Sequence, residues 1–400
     1  MKKEISAVAV RAPSPSPGTT PSALQVKRAI WATRFQFVAL GVLSGAWGVH
    51  IPSVKAHYGL GEMTLSLVLM SAAVGAVLSL LTAGRVIGTL GARRVASLAA
   101  VLMGCMLALV LNWPSVSLLV LSMLVFGASL SLYDVAINTE GSALELLGKR
   151  TIMGGLHGMF SVGGMLGAAL TGGLLRLEVL PAWQLAGVGL GVALLAVSTA
   201  PWMLAMPVDS AGPESKAHFA WPRGTLLIIG VLAFAGMSAE GVMYDWCVLY
   251  LKEVNLLSQD LAALGYAAFS GAMAATRFGT DALRNRYRER SLLRVGGSTS
   301  ALAMAVVLLV GHPWVSMIGY AFVGAGLAMV VPILFNAATR VPGTTRAAAI
   351  ASVSSIGYLG FMVGPPLIGA IAQSVSLTAA LGLVVLASGL LAWGAKYVPE

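Results

Sequence analysis

Apolar residues along this chain are gathered into long runs, and short polar segments separate one run from the next. Each run has about 19–28 residues, which as an α-helix is enough to cross a hydrocarbon layer roughly 30 Å thick. Twelve runs are recognised, at residues 31–52, 62–83, 94–112, 115–140, 152–175, 183–206, 224–251, 259–280, 291–310, 314–338, 347–372 and 375–397. The pattern predicts an all-α polytopic membrane protein with twelve transmembrane helices.

Two short breaks decide how the longest apolar stretches are divided. Residues 112–115 include Pro114, and residues 311–314 include Pro313. Because proline lacks a backbone N–H and disrupts a helix interior, both segments are predicted to be turns between spans.

The composition supports a membrane protein and excludes several soluble classes. Of the 400 residues, 58% are hydrophobic and 10% are charged, whereas a soluble domain carries roughly 25% charged residues. An ordinary soluble enzyme, a nucleic-acid binder and a disordered chain are therefore excluded. Cys105 and Cys247 lie in separate apolar runs, so neither a disulfide framework nor a zinc site is predicted. Since the sequence contains no phosphate-binding glycine loop and no nucleophile triad, we expect neither enzymatic activity nor a cofactor.

The positive charges are distributed unequally between alternate loops. With the N-terminus placed in the cytoplasm, the odd-numbered loops contain only three of the 25 Lys and Arg residues, namely Lys55, Arg176 and Lys252. All the others fall in the tails, in the even-numbered loops or at adjacent span ends. The positive-inside rule therefore predicts that both termini lie in the cytoplasm.

A weak internal repeat divides the chain into two halves. Gly127 in the fourth span matches Gly324 in the tenth, an offset of about 197 residues. The predicted organisation is a disordered cytoplasmic tail (1–29), a six-helix bundle (30–206), a cytoplasmic linker (207–222) and a second six-helix bundle (223–400). A solute site is then expected near mid-membrane where the two halves meet.

Ionisable residues inside the predicted spans are candidates for proton coupling. Inserting a charge into the bilayer costs roughly 2.5–3.5 kcal/mol, so we expect each ionisable residue within a span to have a function or a partner. Burial from water favours the neutral form of carboxyl groups in general, and a proton bound in one conformation and released in another provides coupling. The candidates are Asp134, Glu140 and His157. Alternatively, Asp134 or Glu140 pairs with His157 or with an arginine and only stabilises one conformation.

A second set of polar and aromatic residues is predicted to contact the solute. Spans three, six, nine and twelve contain no acidic residue, so we expect them to face lipid, and spans four and seven, with one and ten, to face a polar interior. The solute-binding candidates are Asn138, Glu240, Asn336, Trp47 and Asp245. For the asparagines the alternative is a contact between helices, for Trp47 it is packing, and for Asp245 it is hydration near the periplasmic end.

The twelve spans, the two halves and the basic loop between spans two and three resemble the major facilitator superfamily. The family's loop motif is matched in part by Gly84, Gly91, Arg93 and Arg94, but the position of its acidic residue is occupied by Gly88. The corresponding position in the second half is Asn285, followed by Arg286. The resemblance implies that these segments form the family's gating loops.

Within that superfamily the chain resembles the fucose-permease-related branch and its poorly characterised bacterial inner-membrane relatives. The resemblance implies a location in the bacterial inner membrane. The similarity lies in residues 132–138, 156–164, 332–336 and 364–369. It implies that Asp134 handles protons and that Asn138 contacts the solute. The branch has an acidic residue in span one where this chain has Gly48, so sugar specificity is not implied.

Two functions remain open from the sequence. The first is a proton-coupled symporter that imports a small polar organic solute, such as a sugar or sugar derivative. The second is a proton antiporter that exports drugs or metabolites, although Ala168 replaces the proline of the antiporter motif in span five. In either case the expected partners are a small solute, protons and the lipid bilayer, with no nucleic acid, and the expected oligomeric state is a monomer.

Overall fold

The computed structural model describes residues 21–148, 151–204 and 223–399, and it contains helices and no strands within them. The predicted linker at 207–222 and the first twenty residues of the predicted tail lie outside this part of the chain. The helices are α1 (Ala23–Tyr58), α2 (Glu62–Leu90), α3 (Ala92–Leu109), α4 (Val116–Gly148), α5 (Met153–Arg176), α6 (Pro181–Thr199), α7 (Thr225–Glu253), α8 (Gln259–Arg286), α9 (Glu289–Val310), α10 (Pro313–Leu327), α11 (Val330–Ala338), α12 (Arg346–Ser374) and α13 (Leu377–Gly394).

These helices make up the twelve-span membrane fold that the apolar pattern predicts. Eleven spans are long and apolar enough to cross a membrane by themselves, and α10 and α11 together form one of them, Pro313–Ala338. The twelfth is α8, whose 28 residues include Arg277 and are too polar to meet the same criterion. Its position inside the bundle explains this composition, because α8 packs against α5 and α10.

The helix boundaries follow local signals in the sequence. Both predicted proline breaks are confirmed, since α4 begins after Pro114 and α10 begins at Pro313. Gly311 ends α9 with a φ of 64°, a left-handed conformation that glycine adopts without steric cost. The first helix begins earlier than expected, at Ala23, because Ser22 and Gln25 form a capping box at its start.

The two halves of the chain are built alike. Helices α1–α6 pack chiefly with one another, as do α7–α13, and the halves meet where α5 contacts α8, α2 contacts α12 and α1 contacts α7. A β-carbon on Gly127 would overlap the backbone oxygen of Ala72, and one on Gly324 would overlap that of Phe269. The matching glycines therefore bring α4 against α2 and α10 against α8 in equivalent ways.

Both described chain ends lie at the same end of the bundle. Ala29 near the start of α1 packs with Leu144 and Leu204, and Arg340 after α11 donates a hydrogen bond to the backbone oxygen of Pro399. We call this the termini end, and we call the opposite end, where α1 and α7 finish, the far end.

Helices α3, α6, α9 and α13 lie on the outside of the bundle. Each leaves large apolar side chains uncovered, for example Leu98, Leu190, Leu309 and Leu386. In a membrane protein such side chains contact lipid, as predicted for spans three, six, nine and twelve.

Candidate functional site between the two halves

A cavity of about 350 Å³ lies between the two halves, close to the middle of the helices that form it. Residues of α1, α2, α4, α5, α7, α8 and α12 line it. Its walls are largely apolar and rich in aromatic rings, contributed by Trp47, Phe126, Phe160, Tyr244, Tyr266, Tyr358 and Phe361. This volume falls in the range of sites for small molecules, about 300–1,000 Å³.

The helices around this cavity differ in part from those predicted. Spans one, four and seven are expected at the polar interior, and α1, α4 and α7 do line the cavity. The expectation for span ten is wrong, because neither α10 nor α11 contributes a lining residue. Helices α2, α5, α8 and α12 do so instead, since they form the seam between the halves.

Three carboxyl groups line this otherwise apolar cavity. Asp134 belongs to α4 in the first half, whereas Glu240 and Asp245 belong to α7 in the second half. Although Glu240 and Asp245 are five residues apart on one helix, both contribute to the lining. Asp245 therefore lies in the cavity wall rather than at the far end.

Asn138 holds the side chain of Asp134 in place. The Nδ2 of Asn138 donates to Oδ1 of Asp134 at 2.9 Å and to its backbone oxygen at 2.8 Å. Asn138 is itself not one of the cavity-lining residues. The structure thus places Asn138 behind Asp134, one helical turn closer to the termini end.

Glu240 is paired with a basic residue that the sequence analysis did not single out. An Nη2 atom of Arg277 on α8 lies 3.1 Å from Oε1 of Glu240, and the hydroxyl of Tyr244 donates to the same oxygen at 3.1 Å. The Nη1 of Arg277 donates to Oγ of Ser161 on α5 at 2.7 Å. Arg277 therefore neutralises Glu240 and also connects the two halves.

The remaining cavity candidates differ in their surroundings. Asp245 makes no hydrogen bond and no ion pair with any other residue in the described part of the chain. Trp47 is buried, packs against Phe126 with ring centres 5.9 Å apart, and presents part of its surface to the cavity.

Three other candidates lie outside the cavity. Glu140 is buried and accepts a hydrogen bond of 2.6 Å from the backbone N–H of Leu204, which fixes the segment after α6. His157 packs edge-on against Phe37, with ring centres 5.4 Å apart. Asn336 donates to Glu289 at 2.9 Å, near the termini end. The structure does not bring these three side chains together with Asp134.

The first predicted gating loop forms the short turn between α2 and α3. Gly91 has a φ of 82° and ends α2, whereas a β-carbon on Gly84 would touch nothing. Arg93 and Arg94 lie in the first turn of α3 and form no ion pair with another described residue.

In the second half, an acidic residue directly follows the corresponding loop between α8 and α9. Glu289, at the start of α9, binds Arg284 and Arg340 at 2.6 Å each and accepts the hydrogen bond from Asn336. We call these four residues the Glu289 cluster. Arg286 is not part of it and lies over the ring of Tyr287, 5.7 Å from its centre.

Polar contacts between the halves concentrate at the far end. Nζ of Lys55 at the end of α1 lies 2.6 Å from Glu62 and 2.7 Å from Glu253 at the end of α7. The Nε2 of Gln259 donates to Val49 at 2.8 Å and to Ser53 at 2.7 Å. We call Lys55, Glu62, Glu253 and Gln259 the far-end latch, because they join the halves there.

Comparisons with known proteins agree with this architecture. A family model described as Major Facilitator Superfamily matches residues 35–343. An uncharacterised MFS-type transporter of Yersinia pestis is 33% identical over 355 residues, which cover 89% of this chain and 92% of that protein.

Solved structures show the same fold at low sequence identity. A D-xylose–proton symporter superposes with a TM-score of 0.74 at 15% identity, covering 95% of this chain and 99% of the other. The transporter FucP in its outward conformation gives a TM-score of 0.68 at 12% identity, covering 94% and 100%. With its family match, its twelve spans in two similar halves and the cavity between them, this chain is a transporter of the major facilitator superfamily.

Proposed function

We propose that this transporter couples the movement of a small polar organic solute to the movement of protons, and that it acts as a symporter. The observation that carries the proposal is the position of Asp134 and Asp245, two carboxyl groups from different halves in one internal cavity. We further propose a monomer in the bacterial inner membrane with the termini end in the cytoplasm, in keeping with the distribution of basic residues.

Alternating access would open this cavity first at one end and then at the other. The far-end latch joins the halves on one side of the cavity, which supports a state in which that side is closed. A bound proton or solute changes the balance between the two states only if it binds one of them more tightly. A carboxyl group between two moving halves meets this requirement, because its surroundings differ in the two states.

Asp134 is a stronger candidate for the proton than Glu240. The charged and titratable groups that face the cavity are Asp134, Glu240, Asp245 and the phenols of Tyr244, Tyr266 and Tyr358, with Arg277 held behind Glu240. Glu240 has a cationic partner, whereas the side chain of Asp134 is bound only by the neutral amide of Asn138 among the described residues. A proton on Asp134 therefore changes the net charge of the cavity without breaking an ion pair.

The cavity walls and the structural relatives support one class of solute. Aromatic rings offer flat faces for a ring-shaped solute, and a few polar groups fix its orientation. Two of the similar structures are named as proton symporters of D-xylose and fucose. These features support a sugar or a sugar derivative.

A second candidate function is export by proton antiport. The mainly apolar lining of the cavity favours it, because an apolar site also suits drug-like molecules. The two candidates differ in the sign of the proton movement that solute causes.

The test uses purified protein in liposomes that contain a pH-sensitive dye, with D-xylose, L-fucose and a panel of sugar derivatives added outside. Symport is expected to acidify the lumen, and antiport would make it more alkaline. Asp134→Asn is expected to abolish the proton signal and to leave exchange of labelled solute intact.

Glu178→Gln, which removes an exposed carboxyl group outside the cavity, is the matched control. An undiminished proton signal in the Asp134→Asn protein would contradict the assignment of Asp134. A lumen that becomes more alkaline would contradict symport and support antiport.

A further inference from the structure

The cavity has more negative than positive charge among its described residues. Glu240 is balanced by Arg277, at 3.1 Å, but Asp134 and Asp245 have no cationic partner in the described part of the chain. These two carboxyl groups lie on α4 and α7, and thus on different halves. A ligand between them would contact both halves at the same time.

A third group in the cavity also lacks a partner. Tyr266 on α8 lines the cavity and is fully buried, and its hydroxyl makes no hydrogen bond within the described residues. Leaving a buried polar group without a partner costs about 1–3 kcal/mol. A ligand with a hydrogen-bonding atom within reach of this hydroxyl would satisfy it.

The aromatic walls are suited to the same kind of ligand. Trp47, Tyr244 and Tyr358 belong to the lining. Aromatic faces attract ammonium groups within about 6 Å of the ring centre, and this attraction is strongest where water is excluded. Neutral sugars benefit from stacking on these rings but leave the negative charge of the cavity uncompensated.

We propose that the transported solute carries a cationic nitrogen, a protonated amine or a quaternary ammonium group, which binds between Asp134 and Asp245. The proposal rests on the proposed function, because it assumes that the cavity is the transport site. A protonated amine donates hydrogen bonds to either carboxylate and to the oxygen of Tyr266. With two carboxyl groups available, one holds the cation while the other holds the coupled proton.

The experiment measures binding by calorimetry to the full-length protein in detergent at neutral pH, where no gradient is present. The probes are matched pairs, glucosamine with glucose and choline with its neutral analogue 3,3-dimethylbutan-1-ol. The first pair represents amino sugars and the second represents apolar cations. At least one cationic probe is expected to bind about tenfold or more tightly than its neutral partner.

Variants connect this preference to the named residues. Asp245→Asn is expected to weaken binding of the cation about tenfold and to leave the neutral partner unaffected, and Tyr266→Phe is expected to weaken it severalfold. Glu178→Gln serves as the control, and thermal unfolding confirms that each variant is folded. The proposal is overturned if neither cationic probe binds, if neutral partners bind equally well, or if folded Asp245→Asn retains full affinity.

This result is separable from the proposed function. A protein that binds the cation in detergent but moves neither solute nor protons in liposomes would contradict proton-coupled transport and leave the cation site standing. Proton-coupled uptake of a neutral sugar, with no affinity for its amino derivative, would support proton-coupled transport and contradict the cation site.

Discussion

Arg277 shows how one residue can decide the electrostatics of a membrane protein's interior. It lies in the seam between α5 and α8 and is bonded to Glu240 and Ser161. Because Arg277 lies near the end of an apolar run, the sequence alone suggests an ordinary basic residue at the end of a span. Only the packing of α8 against α7 reveals that Arg277 and Glu240 depend on each other.

Arg277→Gln is expected to destabilise the protein strongly, by about 3–5 kcal/mol, because the carboxylate of Glu240 then remains buried without its partner. The double variant Arg277→Gln with Glu240→Gln is expected to regain part of the loss. Thermal unfolding measures both, with Arg176→Gln at the exposed end of α5 as control. Equal stability of the single variant and the control would show that the pair is not held as a buried ion pair.

Gly127 is a position where a single methyl group matters. Because a β-carbon there would overlap the backbone of Ala72, Gly127→Ala must push α4 away from α2, at a cost of about 1–3 kcal/mol. The matched control is Gly187→Ala in α6, where a β-carbon meets nothing. A lower unfolding temperature is expected for the first variant alone, and equal unfolding of both would contradict this close contact.

Among the helices, α8 and the pair α10 and α11 have features that the apolar pattern alone does not reveal. Helix α8 contains the apolar run at 259–280, but it is too polar to meet the hydropathy criterion that the other spans meet. It lies in the seam, where polar side chains find partners. The span at Pro313–Ala338 is divided after Leu327, and its second part directs Asn336 to Glu289 rather than to the cavity.

The Glu289 cluster connects four segments at the termini end, namely the ends of α8 and α11, the start of α9 and the residues after α11. Glu289→Gln removes both ion pairs while keeping the size of the side chain, and it is expected to cost about 1 kcal/mol, because both arginines are partly exposed. Faster hydrogen exchange at 284–290 and 336–341 is the local measurement. Exchange that speeds up equally throughout the protein would indicate a general destabilisation instead.

For the whole molecule, the far-end latch is the contact that must break if the cavity is to open at that end. Lys55→Ala removes the ion pair between α1 and α7 and is expected to shift the population toward far-end opening. The measurement is alkylation of Ser44→Cys in the cavity by an impermeant maleimide added at the far end, after replacement of Cys105 and Cys247.

Labelling of Ser44→Cys is expected to become severalfold faster with Lys55→Ala. Arg176→Ala, which removes an exposed basic residue from the end of α5 without touching the latch, is the control. Unchanged labelling in the Lys55→Ala protein would mean that the remaining contacts, including the hydrogen bonds from Gln259 to Val49 and Ser53, keep the far end closed without Lys55.

Several features of the candidate site are predictable from the order of residues in the chain. Asp134, Glu240, Asp245 and Trp47 are candidates because of their positions inside apolar runs, and the structure brings all four into one cavity. Glu140, His157 and Asn336 satisfy the same criterion but bind or pack elsewhere. A polar residue in a span must find a partner, and sequence alone does not say whether that partner is a ligand or the protein itself.

The sequence by itself determined the number of spans, the proline turns between them and the division into two similar halves. These properties depend on local physics, since every backbone group in a membrane must be satisfied within its own helix and each span must match the thickness of the bilayer. The tertiary structure alone decided which helices form the seam, that Arg277 neutralises Glu240, and that Asp134 and Asp245 share a cavity. Those relations join residues far apart in the chain, because they are set by how the glycine-lined faces of the helices pack against each other.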